Sequence, residues 1–214
     1  MNRRLAVLVS GRGSNLQSII DASASGELDA TVAIVISSRA EAQGLSRARA
    51  AGIDAICLRP GDYSGRDDYD RAIVSVLNDC DVGLVCLAGF MRRIGASLLE
   101  AFPNRILNIH PSLLPAFPGL DSQRQALEHG VRVSGATVHL VASELDSGPI
   151  VLQAAVPVLD TDTEETLSAR ILVEEHRLYP EAIRIVLEGR WEVHGRRFIR
   201  PLDGASTGRL RADS

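Results

Sequence analysis

Three runs of consecutive, mostly apolar residues constrain the fold of this chain most strongly. They are Leu5–Val9, Val32–Ile36 and Val82–Leu87. A strand that is apolar along its whole length is typical of a parallel sheet, because helices cover both faces of such a sheet. Helical segments lie between these runs, and one of them, Ala42–Ala51, is followed by Gly52, a common residue after a helix end. We therefore predict an α/β fold, in which helices flank an open, mostly parallel and twisted sheet of the Rossmann-like kind.

The size and charge of the chain exclude several classes of protein. It has 214 residues and a formal net charge of −4, and 45% of its residues are hydrophobic. These values fit a single globular domain, which we place at residues 1–200 and expect to be followed by a mobile polar tail at 201–214. The negative charge does not support a nucleic-acid partner, and the apolar runs are too short to span a membrane. We interpret the first apolar stretch as a strand rather than a secretory signal, and the three cysteines form no C-x-x-C motif, so we expect a cytoplasmic protein. We expect either a monomer or a homodimer.

A glycine-rich loop, Ser10–Leu16, follows the first apolar run directly. Gly11 and Gly13 permit a tight turn, and Ser14 or Asn15 can cap the helix that begins there. A strand, a glycine-rich turn and a helix amino terminus together form a cradle for a phosphate group. The same residues also suit a plain strand-to-helix turn, so both interpretations remain open.

A nicotinamide dinucleotide site is a further interpretation of this loop. The fingerprint G-x-G-x-x-G needs a third glycine, but Leu16 stands in its place. The segment Ser37–Arg39 follows the second apolar run and has residues that could bind the additional phosphate of NADP. The fingerprint is therefore incomplete, and the nicotinamide alternative is kept as the weaker one.

The segment Asn108–Pro115 reads N-I-H-P-S-L-L-P and follows the apolar pair Ile106-Leu107. Asn108 and His110 project from the same face of an extended chain, and Pro111 ends the strand because it has no N–H for the sheet. Both side chains should then lie at the carboxyl end of a strand, where open α/β sheets bind their ligands. Histidine transfers protons near neutral pH, and an asparagine N–H can stabilise a developing oxyanion. This pair is our strongest candidate for a catalytic centre.

Two further segments suit a flat, partly apolar ligand that carries carboxylates. Met91–Ile94 follows a strand end and places Arg92 and Arg93 beside apolar residues, and Arg66 opens a helix. Arginines at such positions are often only solvated, and the sequence alone does not decide between the two interpretations.

The remaining histidines and the common catalytic motifs indicate no other chemistry. We interpret His139 as a satisfied core imidazole, with a position that lines the site from its strand as the alternative. The other three are interpreted as structural or surface groups, namely His129, His176 and His194. The sequence has no H-E-x-x-H motif, no zinc-like spacing of cysteines and histidines, and no G-x-S-x-G nucleophile motif. We therefore expect no bound metal.

Four motifs of the chain match a known family: Ser10–Gln17, Leu87–Arg92, Leu107–Pro115 and Glu144–Pro149. On these motifs the sequence resembles the folate-dependent formyltransferases, and within them the members that act on glycinamide ribonucleotide. The resemblance extends from residue 5 to about residue 180. It implies transfer of a formyl group from 10-formyltetrahydrofolate to the amine of glycinamide ribonucleotide, a step of de novo purine biosynthesis. It also implies that neither a metal nor a nicotinamide is needed, since the folate carries the one-carbon group.

The resemblance further implies roles for single residues. The catalytic group would be Asn108, His110 and Asp146. The residues that bind the ribonucleotide would be Gly13, Ser14, Asn15 and Glu175. The residues that bind the folate would be Arg66, Met91, Arg92, Arg93, Ile94, Asn108, Ala142, Ser143, Glu144, Leu145 and Asp146. The domain would then consist of a ribonucleotide-binding half, residues 1–105, and a catalytic and folate-binding half, residues 106–200.

The implied chemistry agrees with the residue types. Attack of the amine on the formyl carbon produces a tetrahedral intermediate with an oxyanion. Asn108 and a protonated His110 would stabilise that oxygen, and His110 would help to move a proton to the leaving nitrogen of the folate. A carboxylate at Asp146 would favour the positively charged form of His110.

The sequence departs from the family pattern at a few positions. Arg93 stands where the family often has an aliphatic residue. Asp121 and Gln123 stand near positions where some members have histidines, so we assign these two residues no role.

Three other functions compete with formyl transfer to glycinamide ribonucleotide. Methionyl-tRNA formyltransferases normally carry an additional carboxyl-terminal domain, and formyltetrahydrofolate hydrolases carry an amino-terminal regulatory domain; we expect neither in this chain. A nucleotide-binding module without catalysis would use only the phosphate loop and would leave the predicted catalytic group unexplained.

Overall fold

The computed structural model describes residues 2–201, and these residues fold around one sheet of nine strands. In chain order the strands are β1 (Arg4–Val9), β2 (Thr31–Ser37), β3 (Ala55–Cys57), β4 (Leu84–Leu87), β5 (Ile106–His110), β6 (Val133–Leu140), β7 (Ile150–Pro157), β8 (Glu192–His194) and β9 (Arg197–Ile199). The α-helices are α1 (Ser14–Ser25), α2 (Gln43–Ala50), α3 (Arg66–Asp79), α4 (Ala96–Ala101), α5 (Ser122–Glu128) and α6 (Glu164–Glu188). The tail predicted at 201–214 lies outside the described residues, apart from Pro201.

The strands lie in the order β3-β2-β1-β4-β5-β6-β7-β9-β8. The first five strands in this order, β3, β2, β1, β4 and β5, are parallel to one another, whereas β6 is antiparallel to both β5 and β7. The predicted α/β fold with a mostly parallel sheet is confirmed. Because β2 lies on one side of β1 and β4 on the other, the chain changes direction across the sheet at β1, and such a switch point is where open sheets bind ligands.

Helices cover both faces of the sheet, which explains why β1 is apolar from Leu5 to Val9. Leu5, Val7 and Val9 pack on one face with residues of α1 and α6. Ala6 and Leu8 pack on the opposite face with residues of α3 and α4. None of these five side chains is accessible to solvent. Among residues 2–201, no helix combines the length and the hydrophobicity that crossing a membrane requires.

Helix α1 begins differently from the expectation. The sequence predicts Ser14 or Asn15 as the cap, but the N-cap is Gly13, which has a φ of 70° and makes no side-chain hydrogen bond to the helix. A Cβ atom at Gly13 would lie 2.7 Å from the Cα atom of Gly44 in α2, so the loop and α2 pack too closely for a larger residue. The N–H of Gly44 also donates to the carbonyl oxygen of Gly11 at 3.1 Å. The glycine-rich loop is therefore held in place by α2, and Ser14 and Asn15 lie in the first turn of α1.

Candidate active site

Asn108 and His110 lie at the carboxyl end of β5, where the sequence predicts them. The strand ends at His110, and Pro111 lies outside it. The antiparallel strand β6 pairs His139 with Asn108 and Thr137 with His110. His110 is only 5% exposed, and Asn108 is half-buried. The strand end thus presents an amide and an imidazole side by side in a largely enclosed place.

Two neighbours orient the imidazole of His110. Its Nε2 lies 2.9 Å from the carbonyl oxygen of Phe117. A carbonyl oxygen can only accept a hydrogen bond, so Nε2 carries a proton. On the opposite edge of the ring, Nδ1 lies 3.5 Å from Oδ2 of Asp146. Asp146 can therefore compensate the positive charge when both nitrogens are protonated.

Asp146 reaches His110 from the irregular loop between β6 and β7. Its main chain has a φ of 49°, and its Oδ2 accepts a hydrogen bond of 2.8 Å from the N–H of Gly119. Gly148 allows the loop to return tightly against β6, because a Cβ there would lie 1.7 Å from the carbonyl oxygen of Leu140. The other residues of this loop that the resemblance assigns to folate are half-buried or exposed, namely Ala142, Ser143, Glu144 and Leu145.

His139 belongs to the same cluster, so its interpretation as a core imidazole alone is incomplete. The side chain is buried, but Nε2 lies 3.2 Å from Nδ2 of Asn108 and 3.7 Å from Oδ1 of Asp146. Nδ1 lies 2.9 Å from the carbonyl oxygen of Leu140, so Nδ1 carries the proton of the neutral ring. Nε2 therefore accepts a hydrogen bond from the Asn108 amide. Burial lowers the pKa of His139, with partial opposition from the bond to Leu140 and the charge of Asp146. The neutral ring therefore orients the Asn108 amide.

The glycine-rich loop and α6 bring the predicted ribonucleotide residues together. Nδ2 of Asn15 donates to Oε2 of Glu175 at 2.8 Å, and Gly13 and Ser14 immediately precede Asn15. Burial raises the pKa of Glu175, whereas the bond from Asn15 and the charge of Arg12 lower it. Within residues 2–201, Oδ1 of Asn15 is buried without a hydrogen-bond partner. A buried carboxyl group and an unpaired amide oxygen are acceptors that suit the hydroxyl groups of a ligand.

The predicted folate residues of the first half gather around a cavity of about 440 Å³. Its lining includes Arg66, Met91, Arg92 and Arg93, together with Pro60, Gly65 and Tyr69. Ile94 is half-buried and packs against the core formed with α3 and α4, and its predicted contact with the folate stays a prediction. Among the described residues, the catalytic candidates of β5 do not line this cavity.

Ser10 connects the glycine-rich loop to the loop that begins at Met91. Its Oγ accepts a hydrogen bond of 2.9 Å from the N–H of Met91, and its own N–H donates to the carbonyl oxygen of Gly89 at 3.1 Å. The hydroxyl groups of Ser10 and Ser38 lie 2.7 Å apart. The two candidate substrate regions are thus fixed to each other at the switch point of the sheet.

The remaining polar candidates differ in their surroundings. His194 is exposed and pairs with Glu192, whereas Nε2 of His176 is buried and lacks a hydrogen-bond partner among the described residues, in contrast to the predicted surface position. Asp121 is the N-cap of α5 and pairs with Arg124. No cluster of three or more potential metal-ligating side chains occurs in residues 2–201.

A comparison with known families decides what kind of enzyme this site belongs to. The family described as Formyl transferase matches residues 3–183. This chain belongs to the formyl transferase family. The prediction of a formyltransferase is therefore confirmed.

Similar formyl transferases cover most of the chain. Phosphoribosylglycinamide formyltransferase of Escherichia coli (strain K12) is 45% identical over 190 residues, which are 89% of this chain and 90% of that protein. The crystal structure of glycinamide ribonucleotide transformylase 1 from Symbiobacterium toebii is 58% identical, with a TM-score of 0.91, and the match covers 92% of this chain and 93% of that one. A formyltetrahydrofolate deformylase from Pseudomonas syringae pv. tomato is 28% identical, with a TM-score of 0.85 over 94% of this chain and 66% of that one. The fold of this formyl transferase is therefore shared with solved structures along nearly its whole length.

Proposed function

We propose that this formyl transferase moves the formyl group of 10-formyltetrahydrofolate to the amine of N1-(5-phospho-D-ribosyl)glycinamide in de novo purine biosynthesis. The products are formylglycinamide ribonucleotide and tetrahydrofolate. The observation that carries the proposal is the cluster of Asn108, His110 and Asp146 at the end of β5 in a chain of this family. The names of the two most similar proteins described above support the choice of the acceptor.

The cluster supplies the groups that formyl transfer requires. The amine lone pair forms a bond to the formyl carbon, and the carbonyl electron pair moves onto the oxygen. The free N–H of the Asn108 amide and the protonated His110 stabilise this oxyanion. When the intermediate collapses, the bond between the carbon and N10 of the folate breaks, N10 gains a proton, and the attacking nitrogen loses one. His110 transfers that proton, and Asp146 stabilises the positive charge on its ring.

The two substrates would approach the cluster from opposite sides of the switch point. In this proposal Gly13, Ser14 and Asn15 hold the phosphate end of the ribonucleotide, and Glu175 accepts hydrogen bonds from its ribose. The folate would be held by the arginine-lined cavity and by the loop that carries Asp146, where Met91 and Leu145 expose apolar side chains, 61% and 52% accessible. The folate acts as a cosubstrate, and neither a metal nor a nicotinamide takes part.

The setting of the reaction is part of the same proposal. We place the enzyme in the cytoplasm with small-molecule partners only, as a monomer or a homodimer, and its cysteines Cys57, Cys80 and Cys86 are free. The predicted division into halves at residue 105 remains a prediction. The hydrogen bond between Asn15 and Glu175 joins residues of the two halves, whereas the lining residues of the cavity belong to the first half.

The proposed function is tested by following the release of deformylated folate from 10-formyl-5,8-dideazafolate by absorbance. We expect turnover when glycinamide ribonucleotide is present and none when it is left out. Equal turnover in both conditions would indicate hydrolysis and contradict the proposal. His110→Ala should abolish the activity, and His194→Ala, at an exposed histidine far along the chain, should leave it unchanged.

A further inference from the structure

Arg12 occupies the exposed turn of the glycine-rich loop and directly precedes Gly13, the N-cap of α1. The resemblance to the family assigns no role to it. Among residues 2–201, no carboxylate lies within ion-pair distance of its guanidinium group, and no side-chain hydrogen bond holds it. Its five N–H donors are therefore available to a ligand.

A second arginine holds the main chain of this turn. Nε of Arg47 donates to the carbonyl oxygen of Arg12 at 2.9 Å, and Nη1 donates to Oε1 of Gln17 at 3.2 Å. Arg47 thus uses its donors within the protein and is half-buried. The two arginines have different functions as a result: Arg47 fixes the turn, and Arg12 projects from a turn that is already fixed.

The charge of Arg12 acts on the candidate ribonucleotide region. At Glu175, burial raises the pKa of the carboxyl group, and the Asn15 bond and the Arg12 guanidinium oppose that change. The charge of Arg12 is thus near enough to Glu175 to act on its carboxyl group. Asn15 is only 9% exposed, and its Oδ1 lacks a partner among the described residues. This oxygen can only accept, so it independently marks the space beside the loop as a place for a ligand with hydroxyl groups, such as the sugar that carries the phosphate.

The amino terminus of α1 alone does not balance a phosphate. Its first turn contains no acidic residue, and Gly13 provides no side-chain cap, so N–H groups and a partial positive charge remain for an anion. A phosphomonoester carries about −1.5 to −2 charges at neutral pH. A guanidinium group can neutralise the remainder and form paired hydrogen bonds to two phosphate oxygens.

We propose that Arg12 binds the phosphate of the ribonucleotide beside the amino terminus of α1, and so selects the ribonucleotide over the corresponding nucleoside. This inference rests on the proposed function, which identifies a phosphorylated sugar as the substrate. Arg12 is then a specificity residue that acts on binding, and it takes no part in formyl transfer.

The test is calorimetric titration with glycinamide ribonucleotide, and separately with the nucleoside that lacks the phosphate, in the absence of folate. Wild type is compared with Arg12→Gln, Arg12→Lys and the control Arg196→Gln. Arg196 is exposed in the turn between β8 and β9, at the far edge of the sheet, so this control also removes one positive charge. Thermal unfolding of each variant verifies that the fold is intact.

We expect Arg12→Gln to raise the Kd for the ribonucleotide about tenfold or more, because a charge-assisted hydrogen bond is lost. The Kd for the nucleoside should not change, and Arg12→Lys should lie between wild type and Arg12→Gln. Added salt should weaken ribonucleotide binding more in wild type than in Arg12→Gln.

Equal ribonucleotide Kd values in wild type and Arg12→Gln would overturn the inference, as would an equal loss for ribonucleotide and nucleoside. The outcome of this test can be distinguished from that of the activity assay, since binding is measured without catalysis. Ribonucleotide binding that depends on Arg12 in a protein without transferase activity would contradict the proposed reaction and leave the role of Arg12 supported.

Discussion

At the scale of single residues, the orientation of the Asn108 amide depends on His139. Because Nδ1 of His139 donates to the carbonyl oxygen of Leu140, Nε2 must accept, and the Asn108 NH₂ group is its donor at 3.2 Å. One N–H of the amide is thereby used, and the second remains for an oxyanion. A catalytic amide is thus positioned by a histidine that does not itself contact the reacting atoms in our proposal.

Replacement of His139 should therefore affect the rate more than substrate binding. His139→Phe removes the acceptor and should lower kcat about tenfold or more with little change in either KM, whereas His139→Gln offers an amide oxygen and should retain more of the rate. Steady-state kinetics of both variants check this. A rate for His139→Phe equal to that of wild type would show that the orientation of the amide does not depend on His139.

The charge of Asp146 should matter separately from its position. Asp146→Asn keeps an oxygen for the N–H of Gly119 but removes the negative charge beside Nδ1 of His110. We expect kcat to fall about tenfold or more while the Kd values for both substrates stay within about twofold. A matched control is Glu192→Gln, since Glu192 pairs with His194 on the surface at 2.9 Å, and this variant should keep full activity. Full activity in Asp146→Asn would remove Asp146 from the proposed mechanism.

At the scale of elements, α6 connects the core of the domain to the candidate ribonucleotide region. Thr163 caps it through a reciprocal pair: its Oγ1 accepts from the N–H of Thr166 at 3.3 Å, and Oγ1 of Thr166 accepts from the N–H of Thr163 at 2.9 Å. Buried residues along the helix, including Leu167 and Ile171, pack against the sheet. Glu175 follows on the same helix, so the packing that stabilises α6 also positions the carboxyl group.

The cap of α6 should contribute measurably to stability. We expect Thr163→Ala to lower the free energy of unfolding by about 1 kcal/mol, because it removes an acceptor from the first helical turn. Thr161→Ala changes an exposed threonine two positions earlier and should stay within about 0.5 kcal/mol of wild type. Urea denaturation of the three proteins measures the difference, and indistinguishable midpoints for the two variants would contradict the role of the cap.

At the scale of the whole molecule, the sequence predicts features that local rules determine and misses those that depend on distant pairing. Pro111 ends β5 locally, so the positions of Asn108 and His110 are predictable from their own segment. The contact between Asn15 and Glu175 joins residues 160 positions apart and depends on how α6 packs against α1. The contact of His139 with Asn108 depends on the register of two antiparallel strands, which the sequence pattern does not specify.

The buried histidine also makes the stability of the molecule depend on pH. Burial lowers the pKa of His139 below its ordinary value of 6.5, while Asp146 and His110 face the ring with opposite effects. As the pH falls below 6.5, His139 takes up a proton in the unfolded chain but stays neutral in the folded protein until the pH is lower. The free energy of unfolding therefore decreases. Between about pH 7 and pH 5, wild type should lose more stability than His139→Gln. Urea denaturation at several pH values measures the free energy of unfolding, and an equal dependence on pH in the two proteins would contradict this account. Burial also lowers the pKa of His176, but this residue is present in both proteins and does not change the difference between them.

The central claim is that the cluster at the end of β5 performs formyl transfer. Its most direct test is a single-turnover measurement with enzyme in excess, comparing wild type with His110→Ala after the Kd of each substrate has been determined. We predict that the rate of formyl transfer falls by about a hundredfold or more while both Kd values stay close to those of wild type. A single-turnover rate in His110→Ala equal to that of wild type, with both substrates bound, would contradict the claim.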